Sequence, residues 1–243
     1  LFSPSSIAVF AGKAEEPDSK PTLAQALHGA LRAQRYTGTM LFLDIHFTGT
    51  LADLAHTQAD LAIIALPADE VAAALEIAGR IKCRAALLIG SGIAATQAAE
   101  LHKTARRHGI HLLGPNCLGF QRPHLQLNAS VAGPLAASGP LALVSQSGAL
   151  TPSILDWAQK NGVGFSTVVS LGPNTAVDIA QVLDFLADDA QTHSIVVYLE
   201  GISNARRFMS ALRAAASAKP VVVLKAGRKL AGNRAALTHS GAI

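Results

Sequence analysis

The stretch LAIIALPADEVAAALEIAGRIKCRAALLI, residues 61–89, decides the fold. It opens with an apolar run that stops at Pro67, which is typical of a buried strand. Residues 71–80 carry apolar side chains at helical spacing, and residues 85–89 form a second apolar run. A strand, a helix and another strand in succession predict a βαβ unit, which is the building block of a parallel sheet covered by helices.

The same alternation continues outward in both directions along the chain. Further strands are predicted at 7–10, 40–43, 110–113, 141–144, 166–169, 195–199 and 221–224, and further helices at 22–35, 94–108, 150–160, 176–186 and 205–216. The pattern breaks at residues 118–140, where proline and glycine interrupt it, so we place a domain boundary there. The prediction is an α/β protein with a Rossmann-like domain at 1–132 and a smaller doubly wound domain at 138–243.

Composition excludes several classes of protein. Of 243 residues, 50% are hydrophobic and only 5% aromatic, which favours a compact protein with an aliphatic core. The net charge is +4 and no basic run is longer than two residues, so we expect no nucleic-acid partner. No apolar run approaches the ~20 residues of a membrane span. The two cysteines, Cys83 and Cys117, suit neither a disulfide framework nor a metal site, and we expect a reducing cytoplasm.

The beginning of the chain shows neither a signal peptide nor an initiating methionine, so the sequence could be a fragment. The first predicted strand ends in a glycine turn at Gly12 and Lys13. Such a turn can hold a phosphate on free N–H groups, but Glu15, Glu16 and Asp18 place negative charge nearby. Phosphate binding and an ordinary strand-to-helix turn both remain open for this loop.

A second candidate is the turn LGPNCLG at residues 113–119. Ligands bind at the carboxyl ends of strands in open α/β sheets, and the glycines allow close approach of the backbone. The amide of Asn116 can both donate and accept hydrogen bonds. The alternative is a boundary turn in which Asn116 bonds its own backbone.

A third candidate is the sequence SQSG, from Ser145 through Gln146 and Ser147 to Gly148, between a strand and a helix. Free N–H groups, two hydroxyls and the positive end of the helix could bind an anion. Simple N-capping by a serine is the alternative. A nucleophilic Ser147 is rejected, because the flanking positions that a hydrolase turn requires as glycine are Ser145 and Ala149.

Two titratable residues complete the candidates. Glu200 follows an apolar strand, where a carboxylate could orient a histidine or simply be solvated. His239 lies in the sequence THSGA and could carry a phosphoryl group or be an ordinary surface residue. The histidines show no metal-binding spacing, so no metal is expected.

Five motifs occur in a fixed order: GPNCLG at 114–119, SQSG at 145–148, YLEG at 198–201, KPVVV at 219–223 and THSGA at 238–242. Together they resemble the α subunit of succinyl-CoA synthetase and the ADP-forming acetate–CoA ligases, which form the superfamily of nucleoside-diphosphate-forming acyl-CoA synthetases. SILDWA at 153–158 and NARRFMS at 204–210 resemble most closely the synthetase-like half of bacterial protein-lysine acetyltransferases.

The resemblance implies a Rossmann-like CoA-binding domain followed by a flavodoxin-like domain of the succinyl-CoA synthetase type, truncated at its C-terminus. It implies that His239 is phosphorylated, that Glu200 orients it, and that residues 145–148 hold its phosphate. Coenzyme A or acyl-CoA would contact the following residues: Gly12, Lys13, Pro67, Asn116 and Cys117. Nucleotide would bind only through a partner, an ATP-grasp domain or β-type subunit. A fused acetyltransferase domain and a homo-oligomer are further partners that it allows.

Two functions are therefore carried forward. The first is a portion of a ligase that converts an acyl-CoA, phosphate and a nucleoside diphosphate into the acid, CoA and a triphosphate. The second is an acyl-CoA-sensing half that regulates an acetyltransferase. His239 favours the first, and the loss of the usual glycines after the first strand favours the second. A dehydrogenase is rejected because the Gly-x-Gly-x-x-Gly fingerprint is missing.

Overall fold

A computed structural model describes residues 1–11, 23–45, 57–90, 92–172 and 175–227. The first part of the chain contains β1 (Ser6–Phe10), α1 (Leu23–Arg32), β2 (Thr39–Leu43), β3 (Leu61–Ile64), α2 (Val71–Arg80), β4 (Ala85–Ile89), α3 (Ala95–Arg107) and β5 (His111–Cys117). The second part contains β6 (Gly119–Arg122), a 3₁₀ turn (Pro123–Leu125), β7 (Leu127–Ser130), β8 (Ser138–Ser145), α4 (Leu150–Lys160), β9 (Phe165–Ser170), α5 (Ile179–Asp188), β10 (Ser194–Leu199), α6 (Ala205–Ala218) and β11 (Val221–Lys225).

The first sheet is parallel, with strand order β2-β1-β3-β4-β5. Every residue of β3 and β4 is buried, as expected for strands covered by helices on both faces. The helices α2 and α3 cover one face through an aliphatic cluster. The predicted α/β architecture is confirmed. Because the parallel strands end at one edge of the sheet, the turns after β4 and β5 lie there together.

The second sheet combines a parallel part with a hairpin. Strands β11, β10, β8 and β9 are parallel, and β6 and β7 extend the sheet beyond β9 in antiparallel pairing. Residues 118–140 were predicted to interrupt the pattern because of their prolines and glycines, and the polar side chains of the hairpin give no apolar run that would indicate its strands. Here Gln121, Arg122, Asn128 and Ser130 are buried in the hairpin. The hairpin bonds to the second sheet, whereas the boundary between residues 132 and 138 stays a prediction.

The two sheets share one hydrophobic core. Phe2, before β1, packs edge-on against Phe120 of β6 with ring centroids 5.2 Å apart, and against Phe185 of α5 at 5.0 Å. The Gly114 N–H donates to the Thr175 hydroxyl at 2.9 Å. The Gly114–Thr175 hydrogen bond joins the end of β5 to the segment after β9, where the carboxyl ends of the parallel strands of both sheets lie beside each other. Within the described ranges no helix is long and apolar enough to cross a bilayer.

Asp60, at the start of β3, ties down the chain before β1. Its Oδ2 accepts hydrogen bonds from the Ser5 N–H at 2.9 Å and the Ser5 hydroxyl, and its Oδ1 accepts one from Arg84 at 3.0 Å. The Ser5 hydroxyl and N–H, with the Arg84 guanidinium, hold the pKa of Asp60 well below its usual 3.8. A carboxyl group with a lowered pKa in the folded state stabilises the fold only while it is ionised.

We therefore expect Asp60→Asn to lower the free energy of unfolding at pH 7 by about 1 kcal/mol, a figure reduced for solvent screening. The carboxylate's contribution is fully present above the unfolded-state pKa of 3.8 and is lost as the pH falls through the lower folded-state pKa. Urea unfolding of both proteins should show a smaller difference at pH 3 than at pH 7. An equal difference at both pH values would contradict this assignment.

Candidate functional site

A cavity of about 810 Å³ lies where the carboxyl ends of the two sheets meet. Its walls come from the turn after β4, the end of β5, the turn between β8 and α4, the end of β9 and the residue after β10. The first residue of α1, Leu23, also contributes. Three of the predicted regions, around Asn116, residues 146–148 and Glu200, thus open into the same space, whereas the predicted Ser145 is buried behind it.

The turn at residues 145–148 is shaped by its own serines. The buried Ser145 Oγ accepts a hydrogen bond from the Ser147 N–H and donates one to the Ser147 carbonyl, both at 3.1 Å. The Ser147 Oγ accepts from the Leu150 N–H at 3.3 Å, so it caps the first turn of α4. The capping alternative therefore holds for Ser147. This capping bond leaves the turn open toward the cavity, because Gly148 and Ala149 are exposed there.

The start of α4 offers hydrogen-bond donors to an anion. The N–H groups at a helix N-terminus lack partners within the helix and carry a partial positive charge. Gly148 lines the cavity at this end of α4 and has no side chain to block approach. Among the described residues that line the cavity there is no Lys, Arg or His. Within this part of the chain, backbone N–H groups and neutral side chains must supply the donors for a bound anion.

Gln146 connects this turn to Glu200. Its side-chain Oε1 accepts hydrogen bonds from the backbone N–H groups of Glu200 at 2.7 Å and Gly201 at 3.0 Å. Its own N–H donates to the Tyr198 carbonyl at 3.1 Å. The side-chain carbonyl is thus engaged in fixing the turn after β10, while a phosphate contact through the rest of Gln146 stays a prediction. The half-buried Glu200 is held beside the start of α4 and lines the same cavity.

Asn116 has a role that sequence reasoning did not foresee. Its side chain accepts from the Ile93 N–H at 3.3 Å and donates to the Ile93 carbonyl at 3.0 Å. It therefore bonds the turn after β4 and not its own backbone. Gly114, with φ of +94°, could not carry a Cβ atom without striking the Leu88 carbonyl. This turn brings the ends of β4 and β5 together at the cavity.

Cys117 lies at the end of β5 and lines the cavity, yet its thiol is not a reactive group. The Sγ donates to the Leu88 carbonyl at 3.3 Å, and burial raises the pKa of the thiol to about 12. The thiolate is the nucleophilic form of cysteine, so a thiol with this pKa is inert near neutral pH. A CoA contact by Cys117 stays a prediction and would be one of packing.

Not all of the predicted residues come together in the described structure. Pro67 is exposed after β3 and does not line the cavity. Gly12, Lys13 and His239 lie outside the described residues, so their predicted roles are not tested. No group of three potential metal ligands occurs in the part of the chain that the structure describes.

One polar residue of the cavity was not among the predicted site residues. Ser170, the last residue of β9, lines it while being 1% exposed. Within the described ranges its Oγ has no hydrogen-bond partner. The available signal was a hydroxyl residue at the carboxyl end of a parallel strand, the same position that Ser145 occupies on β8.

Comparisons with known proteins identify domains and relatives that match this chain. The flavodoxin-like domain of succinyl-CoA ligase matches residues 138–243, and a CoA-binding domain matches residues 43–123. An ADP-forming acetate–CoA ligase I of Archaeoglobus fulgidus is 40% identical over 190 residues, covering 76% of this chain and 28% of that protein. The α subunit of the corresponding ligase I of Pyrococcus furiosus is 36% identical over 192 residues, covering 76% of this chain and 42% of that subunit.

One solved structure aligns with the full length of this chain. It is acetyl-coenzyme A synthetase 1 of Ca. Korarchaeum cryptofilum, described as dinucleotide-forming and in complex with phosphate and ADP. It superposes with a TM-score of 0.88 at 29% identity and covers 100% of this chain and 54% of that one. The chain thus spans about half or less of these relatives. The chain therefore carries a CoA-binding domain followed by a flavodoxin-like domain of the succinyl-CoA ligase type, and it is similar to nucleoside-diphosphate-forming acyl-CoA synthetases.

Proposed function

We propose that the chain is the CoA-binding, α-type portion of an acyl-CoA synthetase that forms or consumes a nucleoside diphosphate. The observation that carries this proposal is the shared cavity, into which the start of α4 and Glu200 both open. A helix N-terminus suits a phosphate, and a carboxylate suits an imidazole that becomes charged. These are the two environments that a phosphohistidine requires.

The proposed reaction proceeds in three transfers. Phosphate attacks the thioester carbonyl of an acyl-CoA, so that acyl phosphate forms and the CoA thiolate leaves. The imidazole of His239 then attacks the phosphorus, the acid leaves as a carboxylate, and phosphohistidine remains. A nucleoside diphosphate finally accepts the phosphoryl group, which regenerates His239. Most of the catalysis in such transfers comes from positioning and from stabilising the charge on the phosphoryl oxygens.

Each described residue has a part in this scheme. The start of α4 binds the phosphoryl oxygens through the N–H of Gly148, because the Ser147 N–H is already bonded to the Ser145 hydroxyl. Glu200 accepts a hydrogen bond from the imidazole of His239, which orients the ring for attack and stabilises the positive charge that develops on it. Coenzyme A binds at the carboxyl edge of the first sheet, where Asn116 and Cys117 line the cavity. Gly12, Lys13 and Pro67 are the further predicted contacts of the coenzyme.

The nucleotide step requires a partner. The Pyrococcus relative is an α subunit of an ADP-forming ligase, and the Korarchaeum protein has nearly twice the length that this chain covers. An ATP-grasp domain or β-type subunit would supply the nucleotide site, and the isolated chain would not turn over. The acetyltransferase hypothesis rests on residues 153–158 and 204–210 and on the missing glycines after the first strand, whereas the relatives reported above are ligases and synthetases.

The test is to locate the phosphoryl group. The chain, assembled with its nucleotide-binding partner, is incubated with acetyl-CoA and radiolabelled inorganic phosphate without nucleotide. We expect an acid-labile label that is discharged by ADP and maps to the peptide containing His239. The exposed His193, at the opposite end of β10, is an internal control and should carry no label. Acid-stable label, or label on another residue, would contradict the proposal.

A further inference from the structure

Ser170 carries a buried hydroxyl at the carboxyl end of β9. The residue is 1% exposed, lines the cavity, and its Oγ has no partner among the residues that the structure describes. Buried polar groups are nearly always hydrogen-bonded, because an unpaired one costs free energy. A buried hydroxyl that remains unpaired beside a cavity is therefore a candidate for a bond to the cavity's occupant.

The sheet fixes where this hydroxyl lies. Ser170 ends β9 in register with Ser145, which ends β8 and begins the turn into α4. The Leu171 N–H donates to the Ser145 carbonyl at 2.8 Å, which holds the two strand ends together. On its other side Ser170 is paired with Gly119 of β6. Ser170 therefore lies at the end of the strand next to β8, and β8 is the strand that leads into α4.

The chain after Ser170 cannot readily shift it away. A Cβ atom added at Gly172 would strike the carbonyl oxygens of Pro115 and Asn116, so the backbone already lies against the end of β5. The hydroxyls of Ser145 and Ser147 are engaged within their own turn. Of these three serine hydroxyls, only that of Ser170 is left without a partner within the described part of the chain.

We propose that Ser170 is a ligand-binding residue whose Oγ–H donates a hydrogen bond to an oxygen of the phosphate held at the start of α4. The inference rests on the proposed function, since it adds a contact within that site. Phosphate oxygens act as acceptors, and no cationic side chain lines the cavity among the described residues. With the Glu200 carboxylate in the same cavity, each neutral donor there contributes to binding the anion.

The test is the phosphate dependence of the assembled enzyme, measured from acetyl-CoA, ADP and inorganic phosphate. We expect Ser170→Ala to raise the KM for phosphate about tenfold or more, because a hydrogen bond to a charged group is lost. The KM values for ADP and acetyl-CoA should change little. Ser153→Ala is the matched control, since Ser153 is exposed on α4, does not line the cavity and donates its hydroxyl to the Ala149 carbonyl one turn earlier. An unchanged KM for phosphate would overturn the inference.

Thermal unfolding separates this role from a structural one. Because its Oγ has no protein partner in the described structure, Ser170→Ala should keep the Tm of the wild type in the absence of phosphate. Added inorganic phosphate should raise the Tm of the wild type more than that of the variant. A fall in Tm without phosphate, with equal shifts on adding it, would show a structural hydroxyl and overturn the inference. If the wild type formed no phosphohistidine at all, the proposed function itself would fail.

Discussion

Asp189→Ala is expected to lower the free energy of unfolding by about 3–5 kcal/mol, the usual cost of removing one partner of a buried ion pair. The Arg122 guanidinium meets the Asp189 carboxylate at 2.8 Å and 3.0 Å, with side chains only 3% and 9% exposed. Arg122 also donates to the Thr167 hydroxyl and lies over the Phe185 ring. Without Asp189 this charge remains buried and loses its anion, and the hairpin loses its attachment to the segment after α5.

The pH at which this effect is measured matters. Burial by itself raises the pKa of Asp189, but hydrogen bonds from Arg122 and Thr192 and the nearby positive charge outweigh it and lower the pKa. The stabilisation is therefore present above the usual Asp pKa of 3.8 and is lost as the pH falls through the folded-state value. Urea or guanidinium unfolding at pH 7 is the appropriate measurement.

Two comparisons make this prediction specific. Asp156→Ala removes an equally short ion pair, with Lys160 at 2.8 Å, but its side chain is 64% exposed, so we expect a loss below about 0.5 kcal/mol. In a double-mutant cycle, Arg122→Met combined with Asp189→Ala should cost less than the sum of the two single changes. Equal losses for Asp156→Ala and Asp189→Ala would show that burial of the pair does not matter.

The same hairpin shows what the sequence could not predict. Apolar runs such as residues 61–64 and 85–89 predict strands correctly, because strands that are buried on both faces consist mainly of aliphatic residues. Strand β6 carries Gln121 and Arg122 in buried positions, and both side chains form hydrogen bonds with residues outside the strand. Hydrophobic periodicity cannot identify a strand whose buried polar side chains are paired only in the folded structure.

Only part of the candidate site could be predicted from the sequence. The turn at 145–148 and Glu200 were predictable, since polar residues at the carboxyl ends of parallel strands meet at one edge. The hydrogen bonds between Asn116 and Ile93 were not predictable, because they depend on how the turn after β4 approaches the end of β5. Ser170 was missed for a different reason. One serine at a strand end is ordinary, and only the absence of a partner in the described structure distinguishes it.

Gln146→Leu is expected to slow phosphorylation of the assembled enzyme by about 100-fold, while the chain remains folded. Leucine is similar in size but accepts no hydrogen bond, so the N–H groups of Glu200 and Gly201 lose the Oε1 that binds both. The turn after β10 would then relax, and Glu200 would no longer be fixed beside the start of α4. Displacement of a positioning group by about 1 Å can cost this much in rate.

Two variants separate loss of positioning from a general effect of the substitution. Gln159→Leu makes the same chemical change at an exposed position of α4 and should phosphorylate like the wild type. Gln146→Glu keeps an acceptor for both N–H groups, so it should retain the Tm of the wild type even though its added negative charge weakens phosphate binding. Rapid-quench measurement of acid-labile phosphate from acetyl-CoA and labelled phosphate gives the rates. If Gln146→Leu kept the wild-type rate, the bond from Gln146 to the turn would have no part in placing Glu200, because the same acceptor had been removed without consequence.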